Sequence, residues 1–270
     1  MWQKIDSFRR YWSNQNIPKS FLFWYAVGQI LAFSGIGQYI PFTATHYRLF
    51  LTKSPVAMVL FGNPKYVRDE EEVLEKIVVA GDVVLDVGAN IGTFSLRAAK
   101  LSGETGQVFA FEGNPKTARV IERNARLNNL SNIQVTAAAV GDKNGTVNFS
   151  VGAGDDVDHV TNSRSGISVP ILRLDDFAPL QAVSNIRIIN IDVEGYELFT
   201  LQGGEKTILK SERVIFEAYE ANCRRAGYEL DELFNWFLER GFRLANLDGG
   251  PLNLLTAGRL EVKNVLATRS

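Results

Sequence analysis

Val83-Val84-Leu85-Asp86-Val87-Gly88-Ala89-Asn90-Ile91-Gly92-Thr93-Phe94 decides the fold. The apolar run is short and rich in β-branched residues, so it reads as a buried parallel strand. Gly88 and Gly92 then permit a tight turn and a close approach of backbone to a ligand. The helical pattern that follows offers free N–H groups at its N-terminus. Asp86 stands near the carboxyl end of the strand, where open α/β sheets bind ligands.

The turn discriminates between ligands. A dinucleotide turn reads G-x-G-x-x-G. Counted from Gly88, its second and third positions are Asn90 and Thr93, so only the first glycine matches. An acid directly before the turn repels phosphate and suits a cation. S-adenosylmethionine (SAM) carries an amino group and a sulfonium and no phosphate. The stretch resembles motif I of the class I SAM-dependent methyltransferases. A glycine turn in another α/β protein stays open on this stretch alone.

Composition sets the bounds. A length of 270 residues allows one large domain, or one domain with an appendage, and a hydrophobic content of 46% can fill its core. The net charge of −1 implies neither nucleic acid nor an anionic membrane as partner. Cys223 is the only cysteine, which excludes an intrachain disulfide and favours a cytoplasmic location. A nucleophilic role for Cys223 would need His46 or His159, the only histidines.

Residues 1–60 read as an N-terminal extension and residues 61–270 as the catalytic domain. Residues 1–20 are basic and aromatic, and residues 21–42 carry no charge. That run is long enough to cross a bilayer. The flanking Lys4, Arg9, Arg10 and Lys19 would then leave the downstream domain outside the cytosol, away from SAM. A helix packed on the catalytic domain, on a membrane surface or on a partner subunit is the preferred reading. Tyr47 to Phe61 suggests one or two strands, and Asp69 to Val79 a helix with an acidic first turn.

From Val83 onward strands and helices alternate, which predicts a doubly wound, mostly parallel seven-stranded sheet. Strands are expected at 83–87, 107–111, 133–140, 186–191 and 213–216, with an antiparallel pair at 242–246 and 262–268. Asp142-Lys143-Asn144-Gly145 is turn chemistry, so Thr146–Val151 is expected to return as a hairpin strand. Residues 152–168 form a long polar loop, as do 219–229 on a smaller scale.

Four acids stand at strand ends. Glu112, roughly 20–25 residues after the glycine turn, suits the ribose hydroxyls of a nucleotide-like ligand. Asp142 follows the third strand and either accepts from an adenine amino group or opens a turn. Asp192 and Glu194 end the fourth strand, beside the first. They could orient an amino group, ligate a metal, act as a base, or simply cap the next helix. Asp192 is favoured as the catalytic group, with Glu194 second and no metal assigned. Glu217, Tyr219, Glu220 and His159 are secondary candidates.

Assembled, the chain resembles the FkbM family of SAM-dependent methyltransferases. The matching segments are GDVVLDVGANIGTFSL (81–96), VFAFEGNPKTARVIERNARLNN (108–129), VTAAAVGDKNGTVNFSV (135–151), VPILRLDDF (169–177) and INIDVEGYELFTLQGG (189–204). The family usually has Glu-Pro-Asn-Pro where this chain has Glu112-Gly113-Asn114-Pro115. The resemblance implies a Rossmann-like methyltransferase domain and transfer of the SAM methyl to hydroxyl oxygens of small molecules, such as sugars, lipid-linked glycans or polyketide-like products. It implies that Asp86, Gly88, Ala89, Asn90 and Gly92 hold the methionine part of SAM. Glu112 and Gly113 would lie at the ribose, Asp142 near adenine, and Asp192 at the reaction centre. Nucleic acid is not an expected partner. Peripheral membrane contact through 21–42 and homo-oligomerisation stay open. So do a non-catalytic SAM-binding protein and a membrane-associated assembly protein on the same fold.

Overall fold

The N-terminal segment is built onto the sheet domain rather than beside it. The structure, a computed structural model, describes residues 20–150, 159–160 and 166–269. Helix α1 (Phe21–Phe33) packs on α2 (Pro55–Gly62), and glycines set their spacing. A Cβ on Gly28 would meet the Phe61 ring at 3.0 Å, and one on Gly62 the Phe21 ring at 2.8 Å. Between them β1 (Pro41–Thr43) and β2 (Arg48–Phe50) form an antiparallel pair. Tyr47 and Leu49 are buried with Ile91, Leu96 and Ala125 of the sheet domain. The boundary expected after residue 60 falls inside α2.

Two expectations for this region are corrected. Only Arg48–Phe50 of the 47–61 stretch is a strand. Pro55 at the first helical turn has its φ preset for a helix, and Ala57, Met58 and Leu60 follow as good helix formers on a buried side. The uncharged run 21–42 is not one helix: α1 ends after 13 residues, at Ser34 and a left-handed Gly35 with φ 81°. Among the described residues no helix is long and apolar enough to cross a membrane.

Helix α3 (Asp69–Ile77) carries its acids in the first turn, where the helix dipole favours them. Two of them, Glu70 and Glu71, are buried. Glu71 is 1% exposed and accepts a hydrogen bond from Tyr47 Oη at 2.6 Å. Burial pushes its carboxyl from an ordinary 4.5 up to about 7. Between these values the unfolded chain has released the proton that the folded chain keeps, so folding stability falls as pH rises from about 4.5 to 7. Glu71→Gln keeps an acceptor for Tyr47 and removes the titration. It is expected to add about 1–3 kcal/mol of stability at pH 8 and almost nothing at pH 4.5, read by denaturant melts at both.

The core follows in order. It contains β3 (Val83–Val87), α4 (Thr93–Ser102), β4 (Gln107–Phe111), α5 (Pro115–Leu127) and β5 (Ile133–Thr136). Asn114 caps α5 by accepting from Lys116 N–H, with Pro115 in the first turn. Then come β6 (Ala139–Val140), β7 (Gly145–Ser150), β8 (His159–Val160), β9 (Ile167–Leu172) and α6 (Ala178–Gln181). The last third holds β10 (Ile188–Ile191), α7 (Glu197–Gly203), α8 (Glu205–Ile208) and β11 (Arg213–Ala218). It ends in α9 (Glu220–Ala226), α10 (Leu230–Glu239), β12 (Phe242–Asn246) and β13 (Lys263–Arg269).

Seven strands make one sheet in the order β12-β13-β11-β10-β3-β4-β5. The five from β11 to β5 are parallel, and β13 is antiparallel to both its neighbours. This is the expected α/β doubly wound, Rossmann-like methyltransferase sheet. The chain reverses direction across the sheet between β3 and β10, so the carboxyl ends of β3, β4 and β10 open onto one crevice.

The region after β5 differs from expectation. The strand expected over 133–140 stops at Thr136, and Ala139–Val140 joins a second sheet of order β6-β9-β7-β8. The hairpin is corrected too: β7 pairs with β9 and β8, not with the strand before it. Phe149, Val169 and Ile171 alternate inward and bury one face of this sheet with Ala139, which fixes the pairing. Of the polar loop 152–168, residues 152–158 and 161–165 lie outside the described residues. Residues 220–226, expected in a loop, form α9, a short helix with too few apolar positions to show a period. Leu238, expected on the inner face of α10, is exposed at its end.

Candidate active site

A cavity of about 460 Å³ opens at the carboxyl ends of β3, β4 and β10, within the size range of small-ligand sites. Its charged lining is one-sided. Among the described residues Asp69, Glu70, Asp86, Glu112, Asp192, Glu194 and Glu217 face a single base, Arg68. Such a lining favours a cation and disfavours phosphate.

The turn after β3 is bare for a reason the sequence did not show. Gly88 has φ 86°, and a Cβ there would lie 1.8 Å from the backbone oxygen of Asp192. The close approach is to the end of β10. Gly92, with φ 89°, closes on Ile121 of α5. Between them Ala89 and Asn90 line the cavity, with Asn90 in the left-handed region at φ 50°. Asn90 Oδ1 accepts from the Ile91 N–H at 2.7 Å, the local hydrogen bond that lets asparagine hold this conformation.

Asp86 is fully buried on the cavity wall. Ser95 Oγ donates to its Oδ2 and Asn190 Nδ2 to its Oδ1, while burial raises its pKa against these bonds. Glu112 is also buried. It joins the turns after β3 and β4 by accepting from the Asn90 N–H and the Asn114 N–H, each at 2.8 Å. A Cβ on Gly113 would meet the Phe149 ring at 2.5 Å, so glycine here makes room for an aromatic on the cavity wall. Gly113→Ala is expected to cost about 1–3 kcal/mol. The penalty should shrink in the Gly113→Ala/Phe149→Leu double variant; additive losses in a double-mutant cycle would contradict this packing.

Asp142 is not brought to the cavity wall. Its carbonyl accepts from Arg173 Nη1 at 3.1 Å, and the chain there lies tight against Gly203 of α7. Its Oδ1 is buried with no hydrogen-bond partner among the described residues.

Past β10 the chain enters an acidic corner. Asp192 lines the cavity with a third of its side chain exposed, and Arg68 Nη2 lies 4.0 Å from its Oδ2. Glu194 takes up φ 53° in the turn. Glu197, buried in the first turn of α7, holds this turn by accepting from the Val193 and Gly195 N–H groups. Asn222 Nδ2 donates to both Glu194 Oε2 and Glu217 Oε2. Burial and the charge of Asp192 push Glu194 up to about 8 and Glu217 well above the usual range. Asp192, Glu194 and Glu217 each bring a carboxylate oxygen within 4.8 Å of the others, a spacing suited to a cation. Arg68 is held firmly protonated by Glu70, 3.3 Å away.

The secondary candidates separate. Glu217 belongs to the corner, whereas Glu220 pairs with Arg224 and Arg259 away from the cavity. Tyr219 and His159 do not line it, although Val160 beside His159 does. Cys223 is buried, and burial pushes its thiol up to about 11, unsuited to nucleophilic attack. Sequence reading missed Tyr25, Tyr66 and Arg68 of the N-terminal segment, Phe149 of the second sheet and Asn264 of β13, all on the cavity wall. Only Phe149 stands in a matching segment, 135–151, and nothing in that segment marks it out. The one local signal was the basic Arg68 directly before an acidic helix start.

The chain matches the family model described as the Methyltransferase FkbM domain over residues 86–244. It is 28% identical over 156 residues to a 2-O-methyltransferase, NoeI, of Sinorhizobium fredii, covering 51% of this chain and 63% of that protein. It is 30% identical over 118 residues to a ribosomal protein L11 methyltransferase of Chloroflexus aurantiacus, covering 44% of this chain and 32% of that protein. The chain thus spans less than two thirds of the length of either relative. A solved methyltransferase FkbM from Methylobacillus flagellatus aligns with TM-score 0.46 and 16% identity, covering 91% of this chain and 60% of that one. The family match takes in more than half of the sequence, from the carboxyl end of β3 through β4 and β10, and the protein therefore belongs to the FkbM family of SAM-dependent methyltransferases.

Proposed function

We propose that this protein transfers the methyl group of SAM to a hydroxyl oxygen of a small-molecule acceptor, of the sugar or natural-product kind. The observation that carries the reading is the charge of the cavity at the carboxyl ends of the parallel strands: among the described residues seven acids and one arginine line it. That donor set fits a ligand with an ammonium and a sulfonium and no phosphate. The 2-O-methyltransferase named among the relatives supports oxygen as the acceptor atom.

SAM, when bound, supplies a methyl group activated by its sulfonium. The turn Gly88–Gly92 and the buried Asp86 receive its methionine part, and Glu112 and Gly113 face its ribose. Phe149 offers an aromatic wall beside Gly113 for the base. Asp142 is not among the lining residues and receives no role here. Glu194, pushed up to about 8, holds its proton near neutral pH, and burial pushes Glu217 in the same direction, so neither is favoured as the base. Asp192, partly exposed and facing Arg68, takes the hydroxyl proton of the acceptor while Arg68 supplies the countercharge. Much of the acceleration comes from holding donor and acceptor together. Tyr25, Val56, Val59 and Tyr66 give the acceptor side an apolar wall from the N-terminal segment.

Calorimetric titration with SAM and S-adenosylhomocysteine, and NADH as control, tests the ligand. Micromolar binding of the first two and none of the third is expected. Glu112→Ala is expected to weaken SAM about 10–100-fold by removing acceptors for the ribose and the tie between the two turns. Folded protein that does not bind SAM sinks the reading.

A further inference from the structure

Helix α1 has a face that none of the described residues covers. Leu22, Phe23, Ala26, Ile30 and Phe33 fall within an arc of roughly 100° on the helix surface. Leu22, Phe23, Ile30 and Phe33, with Ile36 and Tyr39 just beyond, are 56–73% exposed. The helix has no charged residue, and only Phe21, Gly28 and Ala32 on its inner side are buried. A helix apolar on its outer face needs a non-aqueous neighbour.

Charge identifies that neighbour. The whole chain carries −1, but residues 1–60 hold Lys4, Arg9, Arg10, Lys19, Arg48 and Lys53 against the single acid Asp6, a net +5. Lys53 is exposed beside the face, with its Nζ 5.4 Å from the centre of the Phe33 ring. Aromatic and aliphatic side chains flanked by basic groups match the interface of an anionic bilayer. Thirteen residues of helix reach only about 20 Å, short of a bilayer core, so α1 lies on the membrane and does not cross it. We infer that the outer face of α1, with Ile36, Tyr39 and Lys53, seats the protein peripherally on an anionic lipid surface. Tyr25 of the same helix lines the cavity, so the docked face and the site share one element.

Co-sedimentation of the full chain tests this with vesicles of phosphatidylcholine alone and of phosphatidylcholine with phosphatidylglycerol, at low and high salt. Pelleting with the anionic vesicles, weakened by salt, is the expected result. Phe23→Glu/Ile30→Glu changes two exposed side chains outside the cavity and should weaken it roughly tenfold or more. Light scattering and melting of both proteins accompany the assay. Folded wild type that pellets with neither vesicle overturns the inference, as does pelleting that the folded double variant retains. A wild-type dimer that the variant dissolves, without vesicle binding, overturns it in favour of a second copy of this chain. SAM titration of the same samples reads the cavity separately, because neither substituted residue touches it.

Discussion

Asp192→Asn is expected to lower kcat by about 10²–10⁴ while leaving SAM affinity within a few-fold of wild type. The substitution keeps shape and removes the carboxylate that faces Arg68 at 4.0 Å. Glu194 is the nearest replacement, but with its pKa at about 8 it is protonated below that pH. Removing the Asp192 charge lowers that value, so a variant relying on Glu194 should recover part of its rate as pH rises toward 8, which wild type should not. Single-turnover transfer of a labelled methyl group across pH 6–9, with calorimetric SAM affinity on the same protein, reads both effects. Full turnover in Asp192→Asn would remove Asp192 as the base and turn attention to Glu217 or an incoming water.

Gly88→Val is expected to destroy the site and most of the stability. The position needs φ 86°, which a β-branched residue adopts only at high cost. Its Cβ would also overlap the Asp192 carbonyl oxygen at 1.8 Å, and that oxygen belongs to backbone held at the end of β10. Moving it would displace Asp192 and part the sheet where β3 and β10 pair. A loss of about 4 kcal/mol or more, with no measurable SAM binding, is the expected result of melting and titration. Gly88→Ala meets the same overlap with a smaller side chain and should be only partly milder. A Gly88→Val protein with wild-type melting would contradict the packing of these two strands.

The sheet was legible because its signals are local. Val83–Val87 and Gln107–Phe111 were bounded to the residue, since each is a short buried run closed by turn chemistry. The second sheet was not legible, because Ala139–Val140 chooses a partner 32 residues away, and that choice rests on what Phe149, Val169 and Ile171 bury together. Helix α2 was read as strand because its eight residues are apolar throughout and show neither period. In the site, Asp86, Glu112, Asp192 and Glu194 were found from their places at strand ends and Ala89 and Asn90 from the family resemblance, and the structure gathers all of them on one cavity. Asp142 stands at the same kind of place but is not among the lining residues, although Ala138, Ala139 and Val140 just before it are, because its own neighbours are Arg173 and the chain at Gly203.

The sequence by itself determined the parallel core, the family and the acidic character of the cavity, since strand-end acids and glycine turns are fixed by a few neighbouring residues. Only the tertiary structure decided what those residues do to one another. Gly88 is bare for the sake of Asp192, and Arg68 and Glu217 reach Asp192 from 124 and 25 positions away in sequence. Contacts of that length depend on how separate elements pack, and packing is a property of the whole chain that no local pattern carries.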